Sequence, residues 1–318
     1  MSAPSPQILT VGSGAVGSLY SWRLASSAAV TVVCRSSYDI VTKQGFTMTT
    51  QKFGDATFHP DHVAKSVEEA VGLNNGRPFD FILVTLKALP LEYDVSKMIE
   101  PAVTRGKTTI VLIQNGLGIE EPIVQRFPDN PLISCAAYVK PGHIKMVIPN
   151  EHLVVGLYKP SKVDSSQQRQ VFVDLLEKGN VDVDLTDDIE QLRWQKLFWN
   201  ASYSSVCTIL QTDTTGSKLA KNTLVNVIRD VARAANANGY EFDEQEQVDL
   251  MIGMTEGKAE GYKPSMLLDY ERKQPMEVEV ILGTALRRAK EKGVAVPYLE
   301  TAYDLCTALN ALNLRSKM

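Results

Sequence analysis

Histidine and cysteine are scarce in this chain of 318 residues, with four of each. The cysteines, Cys34, Cys135, Cys207 and Cys306, are scattered without a C-x-x-C pair. That spacing argues against a zinc site or a disulfide framework and fits a reducing compartment. Nor is there the run of about 18 unbroken apolar residues that a membrane span needs. Neither sign of charge is in large excess: 33 Lys and Arg face 37 Asp and Glu, a formal net charge of −4. Without a basic face the chain lacks the main source of affinity for a phosphate backbone. Nucleic acid and membrane are therefore not expected partners. The N-terminus carries no charged-then-apolar signal, so the expected location is cytoplasmic. The closing Ser316-Lys317-Met318 differs in one residue from the peroxisomal Ser-Lys-Leu address and keeps that organelle as the alternative.

The rest is ordinary globular material, 44% hydrophobic and 22% charged, in a chain long enough for two domains. The first half alternates short apolar, β-branched runs (8–11, 30–33, 81–85, 109–113) with helical stretches (16–28, 66–71, 91–103). Strands buried on both faces and separated by helices predict an α/β Rossmann-type domain with a mostly parallel sheet. Pro141-Gly142 and Pro149-Asn150 break the stretch 131–157 into pieces that predict hairpins closing that sheet. Beyond about Thr186 strand signals vanish, and helical patterns cover 189–210, 219–238, 276–292 and 297–312. Gly239 and Gly293 stand where a glycine would end two of them. The expected division is 1–186 for a dinucleotide-binding domain and 187–318 for an all-α domain.

The first run leads into Gly12-Ser13-Gly14-Ala15-Val16-Gly17, a G-x-G-x-x-G opening a helix. Gly12 permits the tight turn, Gly14 lets a pyrophosphate approach the backbone, and Gly17 lets helix and strand pack closely. The phosphates would then sit on free N–H groups of Ser13, Ala15 and Val16 at the positive end of the helix. An acid about 20 residues further on would accept from a ribose 2′-hydroxyl; here the second run ends in Cys34-Arg35, with no acid before Asp39. A guanidinium pairs with a 2′-phosphate that a carboxylate would repel, so Arg35, helped by Ser36 and Ser37, points to NADP.

Hydride delivery to a carbonyl also needs a proton donor. His59, His62, His143 and His152 all precede the helical domain, and His59 and His62 flank Pro60-Asp61 in what reads as a loop. The helix 189–210 offers another donor. Apolar residues point in nearly every direction from it, as on a buried helix, yet Lys196, Asn200 and Ser204 recur at i, i+4 and i+8. Burial drives a lysine pKa towards neutrality, which suits a general acid; a solvent edge would give the same stripe. Tyr-x-x-x-Lys occurs as Tyr93/Lys97 and Tyr158/Lys162. Pro160 would disrupt a helix through the second pair, and the first comes before the fourth strand, so both are read as chance.

Five separated motifs together resemble the ketopantoate reductase family. They are the glycine turn; Val84-Thr85-Leu86-Lys87-Ala88; Gln114-Asn115-Gly116-Leu117-Gly118; Trp194-Gln195-Lys196-Leu197 with Asn200; and Ser265-Met266-Leu267 to Glu277, closing with Gly293-Val294-Ala295-Val296-Pro297. The resemblance implies a Rossmann domain plus a helical domain with the site in the cleft between, and NADPH-dependent reduction of 2-dehydropantoate to pantoate. It implies Lys196 as proton donor, Glu277 as partner of a substrate hydroxyl and of Lys196, and Lys87 and Asn115 beside the nicotinamide and its ribose. Asn115, Asn200, Ser204 and Ser265 would hold the substrate. Pro264 suits a first helical position, so a substrate carboxylate could dock on the free N–H groups beyond it, with Lys263 adding charge. Ser204 and Tyr262 stand where the family carries asparagines. Another branched or aromatic 2-oxo acid is therefore the alternative substrate, and an NADP-sensing protein without catalysis the alternative of a different class. A homodimer stays open.

Overall fold

The computed structural model describes residues 5–138, 145–146, 151–256 and 261–315. The proposed hairpin turns at Pro141-Gly142 and Pro149-Asn150, His143 and the C-terminal Ser316-Lys317-Met318 lie outside the described residues. The chain separates into two compact units. The first comprises Met1–Lys87, Asp94–Asn115 and Ile119–Ile189; the second comprises Ala88–Tyr93, Gly116–Gly118 and Glu190–Met318.

The first unit is built on strands β1 (Gln7–Val11), β2 (Ala29–Val33), β3 (Phe46–Thr50), β4 (Gly54–Phe58), β5 (His62–Ala64), β6 (Phe81–Val84), β7 (Thr109–Leu112), β8 (Leu132–Tyr138), β9 (Lys145–Met146), β10 (His152–Leu157) and β11 (Val183–Thr186). Eight form one sheet in the order β11-β10-β8-β7-β6-β1-β2-β5. All neighbours in it run parallel except β8 and β10. Val11 pairs with Val33 on one side and Val84 on the other, so the β1, β2 and β6 ends open on the same edge. The central strands β1, β6 and β7 are buried throughout, which is why they read as continuous apolar runs rather than alternating ones. Phe172, from the helix Ser166–Lys178, packs on Phe81 with ring centroids 5.6 Å apart.

Several local expectations change. A small sheet β4-β3-β9 was not legible, because strands of five residues or fewer with polar Thr and Asp carry little apolar signal. His62 opens β5 instead of lying in a loop. The stretch 91–103 is helical only over Val95–Ile99, continued by a tighter turn at Glu100–Ala102. Asp94 stops it upstream by accepting the N–H groups of Ser96 and Lys97. Tyr93 thus precedes the helix that holds Lys97, and no helix spans Tyr158 and Lys162.

The second unit is helical, without a strand among the described residues. Its helices include Ile189–Trp199, Ser205–Leu210, Lys221–Ala237, Glu244–Thr255, Ser265–Glu271, Thr284–Glu291 and Pro297–Arg315. Gly239 and Gly293 come after two of them with φ of 93° and 69°, the left-handed conformation that ends a helix cheaply. Wide π turns at Asn200–Ser204 and Glu279–Gly283 interrupt the ladder. Among the described residues no helix is long and apolar enough to cross a membrane. The four cysteines are buried and none is in a disulfide.

Asp230 anchors the last helix to its neighbour. Fully buried on Lys221–Ala237, it accepts the N–H of Tyr298 at 2.7 Å and of Leu299 at 3.1 Å, two donors that the start of Pro297–Arg315 leaves without a helical partner. Asp230→Ala should lower the unfolding free energy by about 3 kcal/mol, read as a lower urea midpoint. Asp230→Asn, which keeps an acceptor, should lose less; equal midpoints for Asp230→Ala and wild type would refute the anchoring role.

Candidate functional site

In the first unit the glycine turn leaves β1 with Gly12 at φ 115°. A Cβ on Gly12 would lie 2.7 Å from the Leu86 amide nitrogen, and one on Gly17 only 1.9 Å from the Gly12 carbonyl oxygen. That carbonyl accepts the Thr85 hydroxyl at 2.6 Å. Both glycines therefore serve backbone contact between β1, the end of β6 and the first helix. Gly14 differs: nothing lies within 4 Å of the position of its missing Cβ. It caps the helix Ala15–Leu24 in an extended conformation, with no side-chain cap and no acid in the first turn. The donors of Ala15 and Val16 are thus left to an outside anion. Ser13 and Ser37 place their hydroxyl oxygens 3.3 Å apart, joining the turn to the loop after β2. Arg35 in that loop is exposed and its neighbour Cys34 buried. An open glycine, a helix start without a side-chain cap and an exposed arginine suit the phosphates of a nicotinamide dinucleotide.

Lys87 and Asn115 come just after β6 and β7 and are half-buried. Gln114 ties the two loops by donating to the Leu86 carbonyl at 2.8 Å. Thr85 and Gln114 were present in the sequence motifs without an assigned task. Their signal was position: a polar residue at the carboxyl end of a buried strand.

In the second unit Lys196 is half-buried on Ile189–Trp199. Burial, helped by the nearby charge of Arg193, lowers its pKa to about 8, while the Glu277 carboxylate works in the opposite direction. Glu277 is itself buried, 8% exposed, and accepts the Ala88 N–H at 2.8 Å. Arg193, 4% exposed, donates to the Gly116 carbonyl at 3.0 Å. Sequence reasoning passed over Arg193, although a charged residue between Leu192 and Trp194 on an all-round apolar helix was a visible anomaly.

Asn200 and Ser204 bound the wide turn, so the regular i, i+4, i+8 row is not kept. A π turn inserts residues into the ladder and rotates the helix beyond it. Ser204 is 2% exposed, which removes the solvent-edge reading for that position. Hydroxyls repair the ladder: Ser202 donates to Phe198, Ser205 to Ala201 and Thr208 to Ser204, at 2.5–2.7 Å. Trp199 stacks on Tyr203 with centroids 5.5 Å apart and meets Tyr262 at 5.7 Å. Ser265 is the first residue of its helix. Pro264 caps that helix with ψ 156° and does not form its first turn, because the chain arrives extended from Tyr262, which bonds to Thr214 in both directions. The Lys263 amine is taken by Glu271 at 2.6 Å.

Residues 8–157 match the family described as ketopantoate reductase PanE/ApbA, and residues 188–310 match its C-terminal region. A 2-dehydropantoate 2-reductase of Nostoc is 27% identical, the match covering 95% of each chain. An uncharacterized protein of Saccharomyces cerevisiae is 30% identical over 96% of this chain and 94% of its own. The crystal structure of 2-dehydropantoate 2-reductase from Methylococcus capsulatus superposes with a TM-score of 0.83 at 31% identity, covering 96% of this chain and 97% of that one.

The two kinds of glycine in the turn should separate experimentally. Gly17→Ala should lower stability by about 3 kcal/mol, since its methyl meets backbone that cannot yield. Gly14→Ala should leave the urea midpoint unchanged and weaken dinucleotide binding at least about tenfold in a fluorescence titration, because its methyl occupies the approach of the pyrophosphate.

Proposed function

The chain belongs to the ketopantoate reductase family of nicotinamide-dependent oxidoreductases, and we propose that it reduces the keto group of 2-dehydropantoate to the hydroxyl of pantoate, with NADPH as reductant. The observation that carries this reading is Lys196. Its amine is held near pKa 8 by burial and by Arg193, with the buried Glu277 carboxylate acting on it from the other direction.

The first unit supplies the dinucleotide site. Gly14 leaves room for the pyrophosphate, the N–H groups opening Ala15–Leu24 meet its charge, and Arg35 pairs with the 2′-phosphate. Lys87 and Asn115 border the nicotinamide and its ribose. When bound, the reduced nicotinamide supplies a hydride to the carbonyl carbon. Lys196 gives its ammonium proton to the oxygen, so that no free alkoxide forms, and water returns the proton to the amine afterwards. Glu277 accepts from a substrate hydroxyl and keeps the Lys196 amine oriented. Asn200, Ser204 and Ser265 bind the remaining polar groups of the 2-oxo acid. Such a reductase serves pantothenate synthesis.

A second reading rests on the Trp199, Tyr203 and Tyr262 cluster beside Asn200 and Ser265. Trp199 and Tyr262 are half-buried and, backed by the buried Tyr203, offer apolar surface to a branched or aromatic 2-oxo acid. Oxidation of NADPH measured against a panel of 2-oxo acids separates the readings: the highest kcat/KM on 2-dehydropantoate supports the first, and the highest on an aryl 2-oxo acid supports the second.

Lys196→Ala should lower kcat by about 10²–10⁴ with dinucleotide affinity intact; unchanged turnover would remove Lys196 from the mechanism. The acid works only while protonated, so kcat/KM for reduction should be high below pH 8 and fall as pH rises through about 8. Arg35→Ala should shrink the preference for NADPH over NADH by about 10- to 100-fold, the worth of charge-assisted hydrogen bonds. An unchanged ratio in paired kinetics would refute the assignment of Arg35.

A further inference from the structure

Arg193 bonds to the backbone beside Asn115 and acts electrostatically on Lys196. It lies three positions before Lys196 on the same helix, hence on a neighbouring position of the helix surface. Arg193 is 4% exposed, on a helix whose Trp194, Leu197 and Phe198 are also buried, and a charge is costly to bury. Its Nη1 donates to the Gly116 carbonyl at 3.0 Å. Gly116 has φ 100°, and a Cβ there would lie 2.4 Å from Val280. The next residue, Leu117, donates its N–H to the Val280 carbonyl at 2.8 Å. The turn Gly116–Gly118 is therefore gripped from two sides, by Arg193 and by the wide turn Glu279–Gly283. The residue immediately preceding that turn is Asn115.

From this arrangement we infer that Arg193 is a positioning residue for the reduction: it fixes the turn after Asn115 and keeps a permanent positive charge beside Lys196 that makes the ammonium a readier proton donor. The inference rests on the reading of Lys196 as the acid. The charged groups acting on the amine are Arg193 from its own helix and Glu277 from the segment entering Glu279–Gly283. Arg193 favours loss of the proton and Glu277 favours its retention. Removing Arg193 should raise the midpoint at which Lys196 deprotonates.

The test is a ¹³C NMR titration of the full-length protein carrying [¹³Cε]lysine, with the Lys196 signal identified by its loss in Lys196→Met. Arg193→Gln keeps a donor for the Gly116 carbonyl and removes the charge; its Lys196 midpoint should rise by about one unit. The fall in kcat/KM at high pH should move up with it. Arg193→Lys keeps the charge and loses the planar fork; its midpoint should stay within about half a unit of wild type. A merely structural arginine would not separate these two variants. A midpoint in Arg193→Gln identical to wild type overturns the inference. If Arg193→Gln fails to fold, Arg193→Lys decides: a midpoint near wild type supports the inference and a rise of a full unit overturns it. The titration needs no turnover, so absence of 2-oxo acid reduction by the wild type counts against the proposed reaction separately.

Discussion

The site depends on one electrostatic constraint, an ammonium group held where water cannot fully solvate it. Burial makes the charged form of Lys196 less favourable and so makes its proton easier to give away. Its surroundings in the second unit are shaped by tolerating that charge. On the same helix Trp194, Leu197 and Phe198 are buried. Glu277 supplies the opposing charge, and its carboxylate is itself held by the Ala88 amide. Without Glu277 the amine would be driven further towards the neutral state.

The two π turns belong to the same constraint. A regular helix through 189–210 would place Lys196, Asn200 and Ser204 in one row, and the wide turn at Asn200–Ser204 rotates the end of that row into the protein. The backbone left imperfectly bonded is served by Ser202, Ser205 and Thr208. The second wide turn presents the Val280 carbonyl to Leu117. π turns recur at functional sites because they aim side chains in directions a straight helix forbids.

In the first unit the corresponding constraint is steric. The Gly12 carbonyl lies where a side chain on Gly17 would be, and Thr85 bonds to that same carbonyl. The turn can therefore be tight only with glycine at both positions. The openness at Gly14 is a different property: nothing packs within 4 Å of where its side chain would begin.

Residue order alone made legible the parallel α/β sheet, the helical second half, the glycine turn with Arg35 after it, and the family resemblance that five ordered motifs carry. These are legible because strand burial, helix periodicity and turn glycines act over a few neighbouring residues. Single polar residues on apolar elements, Lys196 above all, could also be noticed as anomalies. Their surroundings come only from the folded chain. Whether Lys196 faced solvent or the interior, that Glu277 bonds to Ala88, and that Arg193 reaches Gly116 are contacts between residues some 80 to 190 positions apart, beyond any local rule. The π turn was hidden for a related reason. Its stability comes from surrounding packing and from back-bonding hydroxyls, and the local pattern of Ser202, Ser204 and Ser205 is equally compatible with a straight helix.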